Sequence, residues 1–221
     1  MGIVLTQSAA RVRKSGVPAY SDAQEAPLAL TEHGNLITQQ GLPPLAEIVR
    51  QGNSYYGKGV VTSVSLGQVL PTTLAVSTLW NGEAAGGKSY VLEAVGFWSD
   101  VSAGAVSWYQ LYGMPSIVSS AAAPTTAEVG IIRPLRVGKG AYGGSAKISQ
   151  AVTVTDNGWL PLGPAVQATT TTALGMGDYV NLNGLFIIPP GYYFCLHVVG
   201  TNTTAEMGFF YVWHEVQMNL P

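Results

Sequence analysis

Residues 82–89 read Gly-Glu-Ala-Ala-Gly-Gly-Lys-Ser and match the phosphate-binding loop pattern GxxxxGK[ST] at every defined position. Such a loop holds phosphates with backbone amides and with the N-terminus of the helix that follows it. Residues 90–98 are instead β-branched and aromatic with a glycine among them, which favours a strand. We therefore predict a glycine-rich hairpin turn without a nucleotide site, in which Lys88 can be replaced at little cost.

A second glycine-rich segment, residues 138–143, matches the dinucleotide pattern GxGxxG. That motif also needs a helix after it, and an acidic residue about 20 positions further on. Residues 147–155 alternate as a strand does, and no acidic residue stands at that distance. The segment is predicted to be another turn, and no cofactor is predicted for the chain.

Cys195, His197 and His214 are the residues with metal-binding chemistry near the C-terminus. Cys195 and His197 share one predicted strand face, and His214 lies on the next predicted strand. Thiolate and imidazole are zinc ligands, but a structural zinc site takes four, and no fourth ligand is evident. The favoured interpretation is a core histidine with a backbone hydrogen bond, and the zinc site stays open as the alternative.

Motifs of common hydrolases are missing from the sequence. It contains neither a GxSxG nucleophile elbow nor an HExxH zinc motif. The acidic residues Glu93, Asp100, Asp156 and Asp178 are scattered over predicted turns and strand ends, where solvated carboxylates are common. We predict no catalytic residues and no enzymatic activity.

Strand-like segments separated by glycine, proline and asparagine fill the chain after Lys58. Their number and spacing, with almost no helical periodicity, predict an all-β fold. We predict a single antiparallel β-sandwich of the jelly-roll type over residues 58–221. The predicted strands are residues 60–66, 73–80, 89–98, 105–112, 129–137, 146–155, 179–188, 192–199 and 207–217.

Residues 1–57 show no sustained helical or strand period and are interrupted by four prolines. They are predicted to form an extended N-terminal arm, with one or two helical turns at residues 45–50 after Pro43 and Pro44. We predict that the arm clamps neighbouring subunits. Its predicted contact residues are Leu42, Pro43, Leu45, Ile48 and Tyr55.

The last two predicted strands are apolar on both faces, although a lone sandwich needs only one apolar face per strand. Charged residues make up 10% of the chain, against a usual fraction of about 25%. Both features predict that one face of these strands contacts another subunit. The predicted interface residues are Tyr192, Phe194, Phe209, Phe210, Tyr211 and Trp213.

Charge and hydropathy exclude several classes of partner. The formal net charge of −2 leaves no basic footprint for nucleic acid at the level of the whole chain. No apolar run approaches the roughly 20 residues of a spanning helix, so no membrane partner is predicted. The N-terminus does not have the order of regions that a secretion signal has.

In its layout the chain resembles virion structural proteins, namely the decoration or cement proteins of tailed bacteriophages and single-jelly-roll capsid proteins. The resemblance lies in a polar arm, one β-sandwich, and the run PPGYYFCLHV before an aromatic last strand. Residues 79–93, and the segment LPPLAE at residues 42–47 of the predicted arm, also resemble segments of such phage proteins. The resemblance implies a homotrimer that binds neighbouring capsid or virion proteins and is located in the virion, assembled in the host cytoplasm.

Two alternative functions are also compatible with the sequence. A tail or fibre protein would bind a host receptor, including a host glycan. A soluble carbohydrate-binding module would expose aromatic rings at its loop tips, for which Trp108, Tyr109 and Trp159 are the candidates. The trimers related to tumour necrosis factor and C1q have a similar aromatic final strand but are secreted.

Overall fold

The computed structural model describes residues 44–59, 69–99, 107–119, 130–168, 177–201 and 207–218. Within these ranges the chain forms one short helix and ten strands. In chain order the elements are α1 (Pro44–Gln51), β1 (Ser54–Lys58), β2 (Leu74–Asn81), β3 (Lys88–Ser99), β4 (Ser107–Pro115), β5 (Ile131–Pro134), β6 (Ala146–Thr153), β7 (Leu160–Ala168), β8 (Gly177–Ile188), β9 (Tyr193–Gly200) and β10 (Met207–Gln217).

The strands form two five-stranded sheets. The first, which we call sheet 1, has the order β5-β1-β10-β3-β8, and sheet 2 has the order β6-β2-β9-β4-β7. All pairings between described strands are antiparallel. The predicted all-β sandwich is therefore confirmed.

Strand pairing follows a nested pattern. β4 pairs with β7, β3 with β8, β2 with β9, and β1 with β10. The first four strands and the last four thus run as one long antiparallel ribbon. The pairings of β10 with β3 and of β9 with β4 then close each sheet. The two strands at the turn of the ribbon, β5 and β6, extend the sheets beside β1 and β2.

A core of apolar side chains lies between the sheets. Sheet 1 supplies Phe209, Tyr211 and Trp213 from alternate positions of β10, and all three are fully buried. Sheet 2 supplies Phe194 and Leu196 among others. The Tyr211 hydroxyl donates a hydrogen bond to Ser77 Oγ at 3.1 Å, which satisfies a polar group in this core and links the two sheets.

Two strands were not expected from the sequence. β7 contains Pro161 and Pro164, and it lies at the edge of sheet 2, where a strand tolerates residues without a donor. β1 is short and ends at the predicted start of the sandwich. Because β1 pairs with both β10 and β5, the sandwich includes residues 54–57, which had been assigned to the arm.

The helix predicted at residues 45–50 is confirmed as α1. No helix of the described ranges is long and apolar enough to cross a membrane. The predicted strand at residues 60–66 lies outside the described residues, as does most of the predicted arm.

Asn81 fixes the turn between β2 and β3. Its side-chain amide donates to the carbonyl oxygens of Lys88 and Ile188, both at 2.9 Å, and its Oδ1 accepts from Glu83 N at 3.0 Å. The residue is fully buried. One side chain thus joins the start of β3 to the end of β8.

We expect Asn81→Ala to lower the free energy of unfolding by roughly 2–3 kcal/mol, because it leaves buried carbonyl groups without their donor. Chemical denaturation monitored by tryptophan fluorescence measures this loss. Asn181→Ala, at an exposed position of β8, is the matched control and should change stability by less than about 0.5 kcal/mol. Equal effects of the two variants would contradict the proposed role of Asn81.

Candidate functional site

Four aromatic side chains form a continuous patch on the outer face of sheet 1. Phe210 lies at its centre, with ring centroids 5.7 Å from Tyr56, 6.4 Å from Trp98 and 5.8 Å from Tyr179. The angles between ring planes are only 21–27°. The rings come from β1, β10, β3 and β8, so the aromatic patch crosses four of the five strands. Tyr179 is 57% exposed, and the other three are half-buried.

Two glycines let the rings of the aromatic patch lie against the sheet. A Cβ atom at Gly96 would stand 2.4 Å from Phe210 Cζ, and one at Gly208 would stand 2.1 Å from Trp98 Cζ2. Phe210 is the register partner of Gly96, and Trp98 is that of Gly208. Each ring therefore covers the glycine of the neighbouring strand, where any larger residue would lift it. The rings of Phe210 and Trp98 therefore lie close to the backbone of the sheet.

Of the six predicted interface residues, Phe210 is the one that the structure places in the aromatic patch. Phe194, Phe209, Tyr211 and Trp213 are fully buried in the core between the sheets. Tyr192 is half-buried and packs against the same core. Period-two alternation is the reason, because only one face of each strand turns outward. Phe210 is therefore the residue of this set for which a contact with another subunit is still predicted.

The predicted arm contacts divide in a similar way. Leu42 and Pro43 lie outside the described residues. On α1, Leu45 is 48% exposed and Ile48 is half-buried. Tyr55 belongs to the core, with its ring 5.8 Å from that of Trp213. Its assignment to the arm was wrong, because β1 is a strand of the sandwich.

A buried polar cluster lies on the same outer face as the aromatic patch. Ser54 Oγ is 2.8 Å from His214 Nδ1, and His214 Nε2 is 3.1 Å from Glu93 Oε1. Ser54 and His214 are register partners on β1 and β10. Glu93 lies at an irregularity of β3 between Leu92 and Ala94, where one extra residue turns its side chain toward His214. Burial lowers the pKa of His214, and the Glu93 carboxylate opposes that effect.

The order Ser54–His214–Glu93 is that of a hydrolase triad, but the geometry differs from one. In a triad the serine contacts Nε2 and the acid contacts Nδ1, whereas here the two contacts are exchanged. Ser54 is also fully buried, so its hydroxyl is not accessible to a substrate in this conformation. What the cluster does here is tie together β1, β10 and β3 through the Ser54–His214 hydrogen bond and the approach of Glu93 to His214, whose Nε2 makes no hydrogen bond of good geometry within the described residues.

The three residues of the alternative zinc site do not converge. Cys195 and His197 lie on the outer face of sheet 2, whereas His214 lies on the outer face of sheet 1. The sequence placed them on neighbouring strands, but β9 and β10 belong to different sheets. Among the described residues, no group of three or more His, Cys, Asp or Glu side chains is arranged for a metal ion.

The outer face of β9 is itself covered. Cys195 and His197 are buried, and the Trp159 ring centroid is 5.7 Å from that of His197. Trp159 Nε1 donates to Pro71 O at 2.9 Å, which holds the indole in place. Neither ring nitrogen of His197 has a hydrogen-bond partner within the described part of the chain, contrary to the predicted backbone hydrogen bond.

The two glycine-rich segments meet at one cavity of about 500 Å³ at an end of the sandwich. Strands follow both segments, as predicted. The cavity contains a buried carboxylate, Glu215, which accepts from the Tyr142 hydroxyl at 2.7 Å and from Lys88 Nζ at 3.2 Å. Burial raises the pKa of Tyr142, so its hydroxyl stays protonated and remains a donor.

Sequence reasoning missed two acids that have partners in the fold, the half-buried Glu93 and the buried Glu215. Glu93 was assigned to solvated surface, and Glu215 was not singled out. Glu215 follows His214 on a strand with apolar residues on both faces, and an acid at such a position needs a partner. An acid on a strand that is otherwise apolar was therefore the sequence signal that could have identified Glu215. The partner, Lys88, lies 127 residues away, and its pairing could not be foreseen without the fold.

Lys88 is therefore not freely replaceable. We expect Lys88→Met to lower stability by about 1–3 kcal/mol at neutral pH, since the Glu215 side chain is 1% exposed and would lose a charged partner. Adding Glu215→Gln should recover part of the loss, because it removes the unpaired charge. Denaturation of the two single variants and the double variant measures the coupling. Strictly additive effects would show that the pair contributes nothing.

Protonation of His197 should destabilise the fold in mildly acidic solution. Burial lowers the pKa of His197 from 6.5 to about 4. Between these pH values the unfolded chain takes up a proton that the folded chain does not, so stability falls as the pH drops from 6.5 to 4. A difference of this size corresponds to roughly 3 kcal/mol.

The test of the His197 prediction compares His197→Asn with the unmodified chain in denaturation experiments from pH 7.5 to 4. The carboxylates and His214 titrate in both proteins, so their contributions cancel in the difference. The stability difference should shift in favour of the variant as the pH falls. A difference that does not vary with pH would contradict the assignment.

Neither a family model nor a curated protein matches this sequence. The aromatic patch, the polar cluster and the cavity are therefore the features from which a function is inferred.

Proposed function

We propose that the chain is a structural subunit of a virus particle that assembles with copies of itself through the outer face of sheet 1. The aromatic patch is the observation that carries the proposal. Tyr56, Trp98, Tyr179 and Phe210 present ring surface to solvent on strands of sheet 1 whose other face already supplies the core. Contiguous exposed apolar surface of this kind marks interaction sites.

The winding of the chain supports the virion assignment. The nested pairs β1·β10, β2·β9, β3·β8 and β4·β7 describe a ribbon folded over into two sheets. We infer that the sandwich is a jelly roll, with β5 and β6 as an additional pair. Viral capsid domains use this architecture, and so do lectins and cupins, so it agrees with the proposal without establishing it.

Composition also supports assembly. Charged residues form 10% of the chain, and the outer face of sheet 1 carries further exposed apolar side chains, among them Ile131 at 45% and Ile187 at 43%. Aromatic residues are enriched, and lysine and acidic residues depleted, at the centres of protein interfaces. The proposed assembly is a homotrimer that contacts neighbouring capsid or virion proteins, as a decoration or capsid subunit.

The proposal includes a role for the N-terminal segment. Residues 1–43, together with the exposed Leu45 of α1, would clamp a neighbouring subunit. Residues 54–58 are excluded from this role because they form a strand of the sandwich. Each added contact increases the effective affinity of the others in a repeated assembly.

A second candidate function is carbohydrate binding, and the orientation of the aromatic patch favours it. Nearly parallel rings low on a sheet offer faces on which a saccharide can stack. The predicted loop-tip platform is not formed: Tyr109 is buried, Trp159 covers His197, and Trp108 is 41% exposed. A glycan-binding face needs no contact between subunits, whereas the proposed subunit uses the same face to oligomerise.

The proposal predicts opposite outcomes for substitutions on the two faces of sheet 1. Trp213→Ala should unfold the domain or cost about 3–5 kcal/mol, because Trp213 fills the core. Tyr179→Ala combined with Phe210→Ala should leave a folded chain that no longer associates. Analytical ultracentrifugation measures the mass of each species, and circular dichroism reports folding.

Val137→Ala is the control for the patch variant, because Val137 is an apolar residue at 98% exposure outside the sheets. It should assemble as the unmodified chain does. A parent protein that is monomeric at all concentrations would refute the assembly proposal. If that monomer binds glycans and the patch variant does not, the second function is correct.

A further inference from the structure

We propose that the cavity between the two glycine-rich segments binds an acidic saccharide, with the anionic group of the ligand between Lys88 and Lys139. This site lies at an end of the sandwich and does not depend on the proposed assembly. Its lining includes Glu83, Lys88, Lys139, Tyr142, Gly143 and Glu215. A volume of about 500 Å³ is within the range of small-molecule sites and suits a ligand of monosaccharide size.

Both ammonium groups are held in place with donors to spare. Lys88 Nζ has one hydrogen-bonded partner among the described residues, Glu215, and its side chain is 43% exposed. Lys139 Nζ donates to Gly52 O and, at 3.0 Å, to the Tyr55 hydroxyl. An ammonium carries three N–H groups, so Lys88 retains two and Lys139 retains one. A phosphate or carboxylate supplies the acceptors for them.

The ion pair of Lys88 with Glu215 has no net charge, and Glu215 also accepts from the Tyr142 hydroxyl. The positive charge for the anion therefore comes from Lys139, whose two acceptors, a backbone carbonyl and a tyrosine hydroxyl, are neutral, while Lys88 contributes its spare N–H groups. Glu83, half-buried at the rim of the same cavity, is the remaining carboxylate. A carboxylate accepts hydrogen bonds from hydroxyl groups and repels a bare dianion. The combination favours a ligand that carries hydroxyls as well as one anionic group.

Gly143 lines the cavity and leaves room for a ligand to approach the backbone. A Cβ atom there would have no neighbour within 4 Å, and its backbone is not in the left-handed region, so neither packing nor conformation requires glycine. By contrast, a Cβ atom at the adjacent Gly144 would stand 2.3 Å from the Tyr142 hydroxyl oxygen. A methyl group can therefore be added at Gly143 without disturbing the packing of the protein, which makes the position a clean steric probe of the cavity.

The test is calorimetric titration of the full chain with glucuronate, glucose 6-phosphate, glucose and inorganic phosphate. The two acidic sugars represent the carboxylate and phosphate sources of the same anionic chemistry. We expect at least one of them to bind about tenfold or more tightly than glucose, since glucose lacks the charge-assisted contacts. Inorganic phosphate should bind more weakly than glucose 6-phosphate.

Two variants separate a specific site from general charge attraction. Gly143→Ala adds a methyl group in open space at the cavity, and we expect it to weaken binding of the acidic sugar about fivefold or more. Gly140→Ala is the matched control, because its Cβ would also meet nothing within 4 Å but it does not line the cavity. Lys139→Met should weaken binding about tenfold.

Absence of binding by both acidic sugars would overturn the site. Equal affinities for inorganic phosphate and glucose 6-phosphate would overturn the saccharide assignment. Equal effects of Gly140→Ala and Gly143→Ala would show that the anion does not approach the backbone at Gly143. A protein that binds the ligand but remains monomeric would leave this inference intact while refuting the proposed assembly.

Discussion

The two-sided use of β10 is the constraint on which the rest of the structure depends. The strand lies in the middle of sheet 1, between β1 and β3, and its inner residues Phe209, Tyr211 and Trp213 fill the core. A strand with that position cannot turn its outer residues inward. Phe210 and His214 must therefore be accommodated on the other face, one in the aromatic patch and one in the buried polar cluster. The two arrangements differ because the apolar ring of Phe210 can pack on Gly96, whereas the polar imidazole of His214 needs Ser54 and Glu93 beside it.

Buried polar groups explain why distant segments are held together. Ser54 and Glu93 flank His214 from two neighbouring strands, whereas Glu215 is flanked by Lys88 at the start of β3 and by Tyr142 in the loop before β6. An uncompensated charge in the interior costs several kcal/mol, so each acid needs its partner in the folded state. These contacts are long-range in sequence and add side-chain links between elements whose register the backbone ladders of β10 with β1 and β3 already set.

The sequence was sufficient for the class of fold and for most strands, because period-two alternation and turn residues are local signals. It was not sufficient for β7, where Pro161 and Pro164 conceal a strand that is tolerated only at a sheet edge. It also misplaced β1, whose five residues are too few to show a period. Strand identity was thus predictable, while edge position and pairing partners were not.

The candidate site was less predictable for the same reason. Phe210 was predicted as an interface residue together with Phe209 and Trp213, but the latter two lie on the opposite, inner face of the strand. Cys195, His197 and His214 were treated as neighbours because their strands follow one another along the chain. In a folded ribbon consecutive strands lie in different sheets, so adjacency in sequence places β9 and β10 on opposite sides of the core.

The two outer faces of the sandwich are not equivalent, and this asymmetry bears on assembly. On sheet 2 the outward residues of β9 are buried, with Trp159 packed over His197. On sheet 1 the aromatic patch has ring surface open to solvent. In the proposed assembly, that face would pair with itself, which gives a closed two-fold contact, or with a different patch, which gives a ring when the rotation between subunits closes and an open filament when it does not. Because the outward residues Cys195, His197 and Val199 of β9 are buried, the middle of sheet 2 is already covered, and the proposed contact is expected on sheet 1.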